Sequence, residues 1–531
     1  MQKVSQSWKD VHKKTLLNEG YVEVALDMAD PDALREVESL DNGSVYISDT
    51  PEIVSEVDTP TIAYGTLEQN TWVLDNTHQI IPETDYQNGG YIGDVLSNAE
   101  GIFDTKIPTI TLDFSEVHDK IIPGLTITWG TAYNEYATHF VVTAYNGNSI
   151  VAHKDVTDNN SITSIVELDI VNYNHITIQV IEWCLPNHRA RIDEIFAGWK
   201  LVYSKNKLMS FHHEQAVDPI STSLPKMEIG FSLDNSNNSF NPHNPQGLSK
   251  YLMERQAVQV RYGLKLGDGT VEWIKGGSFY LSEWYAKQNG ITADFVARDI
   301  LEFMSTLYHD NVSVIRERTL YELAEQVLQA ADLPLNADGT VKWVIDESLR
   351  NIKTTAVLPD DTIANCLQMI ANAGCCVLYP DRDGMLNIKP IGNEHTDYVI
   401  NSFNSYSKSE ITLSKLIKQI DVAVYSYTLG NKGVESAFTS ETSEVGDKGE
   451  TITVNNPLIT NNERAKVVGK WIGDYLKNRM TLKAGVRADV SLDALDIVSN
   501  ENDFNTTNMR MTNVKFEFTG AFRGTCEGRV I

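Results

Sequence analysis

Apolar and polar positions alternate with a changing period along the 531-residue chain, and the changes mark its elements. In "SLPKMEIGFSLDNSNNSFNPHNPQGLSKYL" (223–252), Met227, Ile229, Phe231 and Leu233 alternate with Glu228, Gly230 and Ser232, the period of a strand with one dry face. That strand runs into a loop of Asn, Ser, Asp and Pro, whose oxygens suit either a cation or a series of turns. Between about 106 and 200, "ITLDF", "LTITW", "HFVVTAY", "SIVELDI" and "HITIQVIEW" predict short strands separated by Asn, Asp, Gly and Ser clusters. Within the last of these, Ile176, Ile178 and Val180 alternate with Thr177 and Gln179. Strands this short and closely spaced predict a sandwich or jelly roll.

Residues 201–300 are again β, with longer amphipathic strands. Val258, Val260, Tyr262, Leu264 and Leu266 share a face, and "GDGT" reverses the chain through Asp268 and Gly269. A helical section follows. Thr319 and Glu322 form a capping box ahead of Leu320, Leu323, Ala324, Val327, Leu328 and Ala331, which keep the helical period. A second helix is predicted to start near Asp360 or Asp361, to use Ile363, Leu367 and Ile370, and to stop at Gly374. The hairpin "CCVLYPDRDGMLNIKPI" comes next. Farther on, "IDVAVYSY" and "VKFEF" read as strands, the second with Val514, Phe516 and Phe518 on one face. Between them "NERAKVVGKWIGDYLKNR" is a helix with Ala465, Val468, Trp471, Ile472, Tyr475 and Leu476 on its apolar side.

The formal net charge of −28, from 44 Lys and Arg against 72 Asp and Glu, repels phosphate backbones and argues against direct nucleic-acid binding. The acidity is spread along the chain, as on a solvated surface. No window approaches the apolar length of a transmembrane segment. "MQKVSQSWKDVHKKTLLNEG" is basic without an apolar centre, so a secretory signal is not expected there. Cys184, Cys366, Cys375, Cys376 and Cys526 show no metal or redox spacing and read as buried thiols in a protein assembled under reducing conditions.

Most candidate chemistry fails on spacing. Read as an EF-hand from Asp234, the Asn-rich loop offers Ser236 and Asn238 but places Ser239 at the glycine position and Pro245 at the position of the bidentate Glu. "DRDGMLNIKPIG" places Gly392 where that Glu belongs. "FHHEQAVD" starts like a zinc-protease motif at His213 and Glu214, but Val217 stands where the second His is needed. His212 and His213 then point to opposite faces of a strand and read as surface or interface histidines. No nucleophile elbow, P-loop or dinucleotide glycine pattern is present, and no carboxylate pair is singled out for glycoside hydrolysis. No catalytic, cofactor-binding or metal-binding residue is therefore nominated. Trp72, Trp129, Tyr133 and Tyr136 sit at predicted strand ends beside polar turns, with Arg189 and Arg191 nearby in "NHRARIDEI". Aromatic faces with Asn, Asp and Arg beside them suit a sugar ring, so Trp72, Trp129, Tyr133, Tyr136 and Arg189 are the candidate glycan-binding set. The competing reading makes these aromatics plugs for the sandwich ends, and lets the arginines pair with Asp193 and Glu194.

"MSFHHEQAVDPISTSLPKMEIGFSLDN", "FNPHNPQGLSKYLMERQAVQVRYGL" and "GGSFYLSEWYAKQNGITADFVARDILEFM", followed by the helix–helix–hairpin, resemble the tail-hub or tail-tip (baseplate hub) proteins of bacteriophages of Gram-positive hosts. The likeness covers roughly residues 201–531 and lies in order and spacing. "YGTLEQNTWVLDN" and "NYNHITIQVIEWCLPNHRARIDEIFAGW" look like a second family, the discoidin-like or galactose-binding jelly rolls. The resemblance implies an α+β, mainly β chain: two hub-type β-barrel domains plus a small helical/αβ domain, with an inserted β-sandwich jelly roll. Residues 1–40 would start the first hub barrel, 41–200 form the insert, 201–305 complete that barrel, 306–400 make the helix–helix–hairpin domain, and 401–531 the second barrel with one helix. "YVEVALDM" would open the first barrel, and "KLVYSKNKLMSF" would resume it.

By the same resemblance the protein is a structural virion component at the distal end of a phage tail, made in the host cytoplasm and not an enzyme. It would be a homotrimer joining a sixfold tail tube to the host-contacting tip. Its partners would be distal tail ring, tail tube and other baseplate proteins, with host cell-wall carbohydrate as a further ligand of the insert. No peptidase, muramidase or fibre-like segment follows the last predicted strand, so lytic activity is not carried over. Two other readings are a secreted or surface carbohydrate-binding protein and a glycoside hydrolase. The first lacks a signal peptide and the second lacks nominated carboxylates.

Overall fold

A computed structural model describes residues 1–14, 18–48, 53–54, 63–65, 68, 78–80, 90–287, 290–310, 316–336, 340–406, 408–430 and 433–531. The fold is mainly β. Among the described residues, no helix is long and apolar enough to cross a membrane.

One 13-stranded sheet carries the architecture. Its path runs Gly198–Ser204, Gly20–Ala29, Ala257–Lys265, Val271–Ala286, Thr292–Arg298, Lys226–Asp234, Leu208–Ala216, Thr506–Phe518, Phe522–Val530, Met480–Val486 and Glu410–Leu413. Ile497–Glu501 also pairs with Thr506–Phe518 and carries His395–Ile400 on its other side. The face shared by Val258, Val260, Tyr262 and Leu264 is buried, as the alternation predicts, and Gly269 turns the hairpin at a positive φ of 91°. Where the sequence suggests two separate barrels, strand pairing runs through both halves. Leu208–Ala216 pairs with Thr506–Phe518, and Phe211 faces Phe518 across the seam. Val24, Tyr262, Leu281, Val486 and Phe516 belong to one core.

The chain leaves this sheet at Ala29 and returns at Gly198, and those two residues are paired. Gly198 has to be glycine: a Cβ there would lie 2.4 Å from the Met28 carbonyl oxygen. Between those points lie two five-stranded sheets. One is ordered Ser149–Val156, Ala137–Asn146, Tyr173–Trp183, Thr109–His118 and Glu38–Asp41; the other Thr163–Ile170, Ile122–Trp129, Arg189–Phe196, Tyr91–Leu96 and Ser44–Ile47. Leu112, Phe140 and Ile178 from the first meet Ile127 and Ile192 from the second in a shared core.

The third core belongs to the helices. Leu320–Gln329 starts with the predicted capping box: Thr319 Oγ1 accepts from the Glu322 backbone N–H at 3.1 Å, and the Glu322 carboxylate accepts from that of Thr319 at 2.8 Å. Ile363–Ala373 starts two residues past Asp361, because Thr362 is its cap, with Oγ1 3.2 Å from the Asn365 backbone nitrogen. It stops at Gly374 for steric reasons. Gly374 keeps an ordinary φ of −82°, but a Cβ there would lie 2.4 Å from a Leu349 methyl, and Cys375 takes the left-handed turn at φ 53°. Asn462–Lys477 lies over the hairpin Ile417–Gly430/Gly433–Glu444, so Val468 and Ile472 join Leu323, Leu367 and Ile420 in one cluster.

Candidate functional site at the open end of the long sheet

The glycan-binding candidates divide in the fold. Trp72 lies outside the described residues. Trp129 is fully buried: its Nε1 donates to Ser164 Oγ at 2.8 Å, and its ring meets Phe140 and Trp183 edge-on. No ring face is left for a sugar, so this residue is corrected from a binding aromatic to a core plug. Tyr136 is half-buried against the same core. Tyr133 is half-buried beneath the Arg191 guanidinium, 4.1 Å from its ring centre. Arg189 donates Nη1–H to the Gly93 carbonyl at 3.0 Å, and its Nε lies 3.3 Å from the Glu68 carboxylate.

The arginines take other carboxylates. Arg191 bridges Glu68 and Glu135, and Glu135 also accepts from Trp183 Nε1 at 2.8 Å and lies 3.0 Å from His188 Nδ1. Glu68 and Glu135 were missed because the sequence gives no local sign of such a pairing; the fold brings them to Arg191 from 123 and 56 positions away. Asp193 instead accepts from the Thr131 backbone N–H at 2.7 Å, and burial pushes its carboxyl up to about 6.

The Asn-rich loop engages its own side-chain oxygens, although the buried Asn235 Nδ2 has no hydrogen-bond partner among the described residues. Side-chain oxygens of Asp234, Asn237, Asn241 and Asn244 accept from the backbone N–H two residues on, at 3.0–3.1 Å. Asn235 accepts from Phe240, whose ring is buried against Phe295. These are turns with their oxygens already engaged. The loop also reaches the five-stranded sheets of its own chain, where Lys250 Nζ lies 2.7 Å from Asp169 and the Tyr251 hydroxyl donates to the same carboxylate.

His213 corrects the surface reading of "FHHE". It is buried on the seam, Nδ1 2.7 Å from the Tyr262 hydroxyl, among Phe279 and Phe516, while His212 on the other face is exposed. Burial, with the Arg382 charge adding to it, pushes the His213 imidazole down to about 3. All five cysteines are free. Cys366, Cys376 and Cys526 are buried, but Cys184 and Cys375 are half-buried, and Cys375 Sγ accepts from Arg464 Nη2 at 3.1 Å. Among the described residues, no group of three His, Cys, Asp or Glu side chains converges as a metal would require.

Among the described residues, one end of the long sheet lacks a further strand. Glu410–Leu413 is bonded on one side only, to Met480–Val486, with Ile411 facing Leu482 and Leu413 facing Met480. Opposed residues of an antiparallel pair project to the same face. Leu482 is buried in the core and Met480 packs on it, so Ile411 and Leu413 lie on the core side of the sheet, yet they are 61% and 62% exposed. In the same section of the chain, Phe403 is 75% and Phe504 96% exposed, with Tyr406 and Leu416 also exposed. Their backbones are fixed. Asn502 Oδ1 accepts from the N–H groups of Phe504 and Asn505, Lys408 pairs with Asp503, and the Tyr406 N–H donates to the Gly485 carbonyl at 2.8 Å. An apolar, strand-edged surface held in place can add another strand and cover its side chains.

No protein-family model matches the chain. No curated protein matches it either. Among solved structures it is similar to a tail protein from Neisseria meningitidis MC58, at 10% identity and a TM-score of 0.43 over 62% of this chain and 93% of that one. It is similar to the 43 kDa tail protein of prophage MuSo2 from Shewanella oneidensis, at 12% identity and a TM-score of 0.42 over 62% and 94%. It is also similar to prophage tail protein gp18 from Listeria monocytogenes EGD-e, at 11% identity and a TM-score of 0.39 over 62% and 91%.

Proposed function

We propose that the protein is a structural component of a phage tail, a hub at the distal end that assembles as a homotrimer. In this reading it joins the tail tube to the rest of the baseplate, and residues 41–200 form an inserted sandwich. Its work is assembly rather than catalysis. The reading is supported by the likeness of residues 201–531 to tail hubs and by the insertion geometry, in which the chain leaves and re-enters one sheet at paired residues.

The observation that carries it is the bare core-side edge at Ile411 and Leu413. Phe403, Tyr406, Leu416 and Phe504 in the same section of the chain are exposed as well and offer further apolar side chains to a neighbour. The occupant in this proposal is a second copy of the chain. The opposite end of the same sheet, Gly198–Ser204, is also an end strand; its Gly198 carbonyl accepts from Thr126 of its own chain, but Val202 is exposed, and head-to-tail addition of copies there can close into a ring. Sugar binding by the insert is left out of the proposal, because Trp129 is sealed in the core and Tyr133 is covered by Arg191.

Mass photometry of the purified protein, alone and with its ring partner, tests this. The expected result is a trimer for the wild type and a folded monomer for Ile411→Glu with Leu413→Glu, since neither side chain is buried within its own chain. A wild type that stays monomeric and never joins tail fragments overturns the proposal.

A further inference from the structure

A cavity of about 270 Å³ lies where the hairpin Val377–Pro380/Leu386–Lys389 meets the strands Leu208–Ala216 and Thr506–Phe518. Charges of both signs line it, and three of its cations are matched by carboxylates. Arg382 pairs with Asp493, the Met1 ammonium with Asp496 at 2.5 Å, and Lys226 with Glu228 at 3.2 Å and Glu214 at 3.3 Å. Asp381, on the same wall, accepts from the backbone N–H groups of Asp383 and Met385. Arg510 is matched by none of them.

Arg510 stands in Thr506–Phe518 between Met509 and Met511, which belong to the core of the long sheet, so its side chain leaves from the opposite face. It is only 6% exposed. Nη1 donates to the carbonyls of Gly392 and Leu495 at 2.8 and 3.3 Å, and Nη2 to Asn393 Oδ1 at 2.8 Å. All three acceptors are neutral, and among the described residues no carboxylate pairs with this guanidinium. Burial pulls its pKa below the ordinary value, opposed by the Tyr475 phenol rather than by an acid. Its cross-strand partner is Arg529, a second cation on the same face. Arg529 has compensation of its own: it donates to the Asn478 carbonyl at the end of the helix Asn462–Lys477 and stands 5.0 Å from the Tyr475 ring centre.

We infer that this cavity is a binding site for a compact oxyanion, a carboxylate or a phosphate, held by the Arg510 guanidinium. A guanidinium has five N–H donors, and three bonds engage Arg510, so two donors are left, Nε–H among them. Two donors on one planar group are what a bidentate oxyanion takes. Tyr379 lines the same cavity from the hairpin, with a hydroxyl that burial keeps protonated by pushing it up to about 12. A charge taken out of water without a counter-charge is costly, and an anion entering here relieves that cost at Arg510. Glu394 also lines the cavity but is exposed, so it competes with an incoming anion without filling the site. This inference stands on the cavity alone and is independent of the tail reading.

Equilibrium dialysis of the full chain against radiolabelled inorganic phosphate, and separately against radiolabelled acetate, tests this at an ionic strength fixed with chloride. The wild type is expected to bind one equivalent of at least one of them; phosphate alone marks the site as tetrahedral, acetate alone as planar. Arg510→Lys keeps the charge without the fork and is expected to bind about tenfold more weakly, the loss of one charge-assisted hydrogen bond. Arg510→Gln is expected to bind neither anion, with circular dichroism and its urea transition showing that it is folded. Glu394→Gln changes an exposed residue and is expected to bind at least as tightly as the wild type. If the wild type binds neither anion, if Arg510→Lys binds as the wild type does, or if Glu394→Gln binds more weakly, the inference is wrong.

Discussion

Arg382 offers the sharpest test of how the sections of the chain are held together. It sits in the turn between Val377–Pro380 and Leu386–Lys389, yet its side chain is buried. Nε donates to Asp493 Oδ1 at 2.6 Å, Nη1 to the Lys275 and Val490 carbonyls at 3.0 and 2.8 Å, and Nη2 to the Leu492 carbonyl at 2.8 Å. One guanidinium thus ties the hairpin to the strand Val271–Ala286 and to the segment that joins Met480–Val486 to Ile497–Glu501, beside a cavity of about 270 Å³ lined by Gln215, Tyr379, Asp493 and Arg510. Burial pushes the Asp493 carboxyl up, but the Arg382 and Met1 charges, with hydrogen bonds from Gln2 and Arg382, together hold the group below the usual carboxylate range.

In Arg382→Met the apolar volume is roughly kept and the donors are lost. Asp493 keeps Gln2 Nε2 at 2.8 Å and Gln215 Nε2 at 3.3 Å, but three carbonyls lose a donor. Breaking a buried pair from one side costs about 3–5 kcal/mol, and the low end applies here because the Met1 ammonium stays 3.6 Å from Asp493. Urea unfolding followed by tryptophan fluorescence is expected to show a loss of about 3 kcal/mol in the transition that releases the hairpin. Arg382→Lys keeps the charge without the fork and is expected to fall between the two. Combining Arg382→Met with Asp493→Asn is expected to be non-additive by about 2 kcal/mol, since the second change removes the stranded charge. A loss under about 1 kcal/mol for Arg382→Met, or an additive cycle, would refute the reasoning.

Two further outcomes follow from buried groups. His213, held down at about 3 by burial, is neutral in the folded chain, whereas in the unfolded chain it takes a proton below its ordinary value of 6.5. Its contribution is complete above that value and is lost as the pH falls toward 3, by about 2 kcal/mol at pH 5. Asp299, pushed up to about 7 by burial, acts in the opposite direction, so the measurement is the difference in urea midpoint between wild type and His213→Gln from pH 4.5 to 7. That difference should change with pH; a constant offset would show that His213 titrates freely. Gly198→Ala drives a methyl toward the Met28 carbonyl and is expected to cost about 2 kcal/mol or more, read as a lower midpoint for the long-sheet transition; an unchanged midpoint would show that the strand pair relaxes without cost.

Local rhythm made the elements legible. Leu320, Leu323, Ala324, Val327 and Leu328 keep the helical period and are buried, and the Thr319–Glu322 box reads directly from spacing. His213 was legible in principle, because it shares its face with the buried Phe211 and Gln215 and the opposite face carries the exposed His212. Pairing over long separation was not. Nothing near Arg191 points to Glu68 or Glu135, since a buried charge takes the partner that topology brings. The open end was hidden for the same reason. "ITL" at 411–413 has the composition of an ordinary core strand, and only the sheet order leaves it with one neighbour and no cover.

The seam and the open end differ in strength, and the difference bears on assembly. Leu208–Ala216 is an internal strand, bonded to Lys226–Asp234 on one side and to Thr506–Phe518 on the other. The second pairing runs from Phe211 to Ala216, opposite Phe518 to Asn513, and is backed by the buried His213, Tyr262 and Phe516. Separating the halves therefore exposes a core together with a ladder. Glu410–Leu413 offers a neighbour only four residues of ladder, with its apolar side chains already in water in the lone chain. Breaking that contact returns a surface the chain tolerates, whereas breaking the seam creates one that it does not. In the proposed ring, separation would therefore occur between chains before it occurred within one, and the four-residue edge rather than the seam would set the contact between copies.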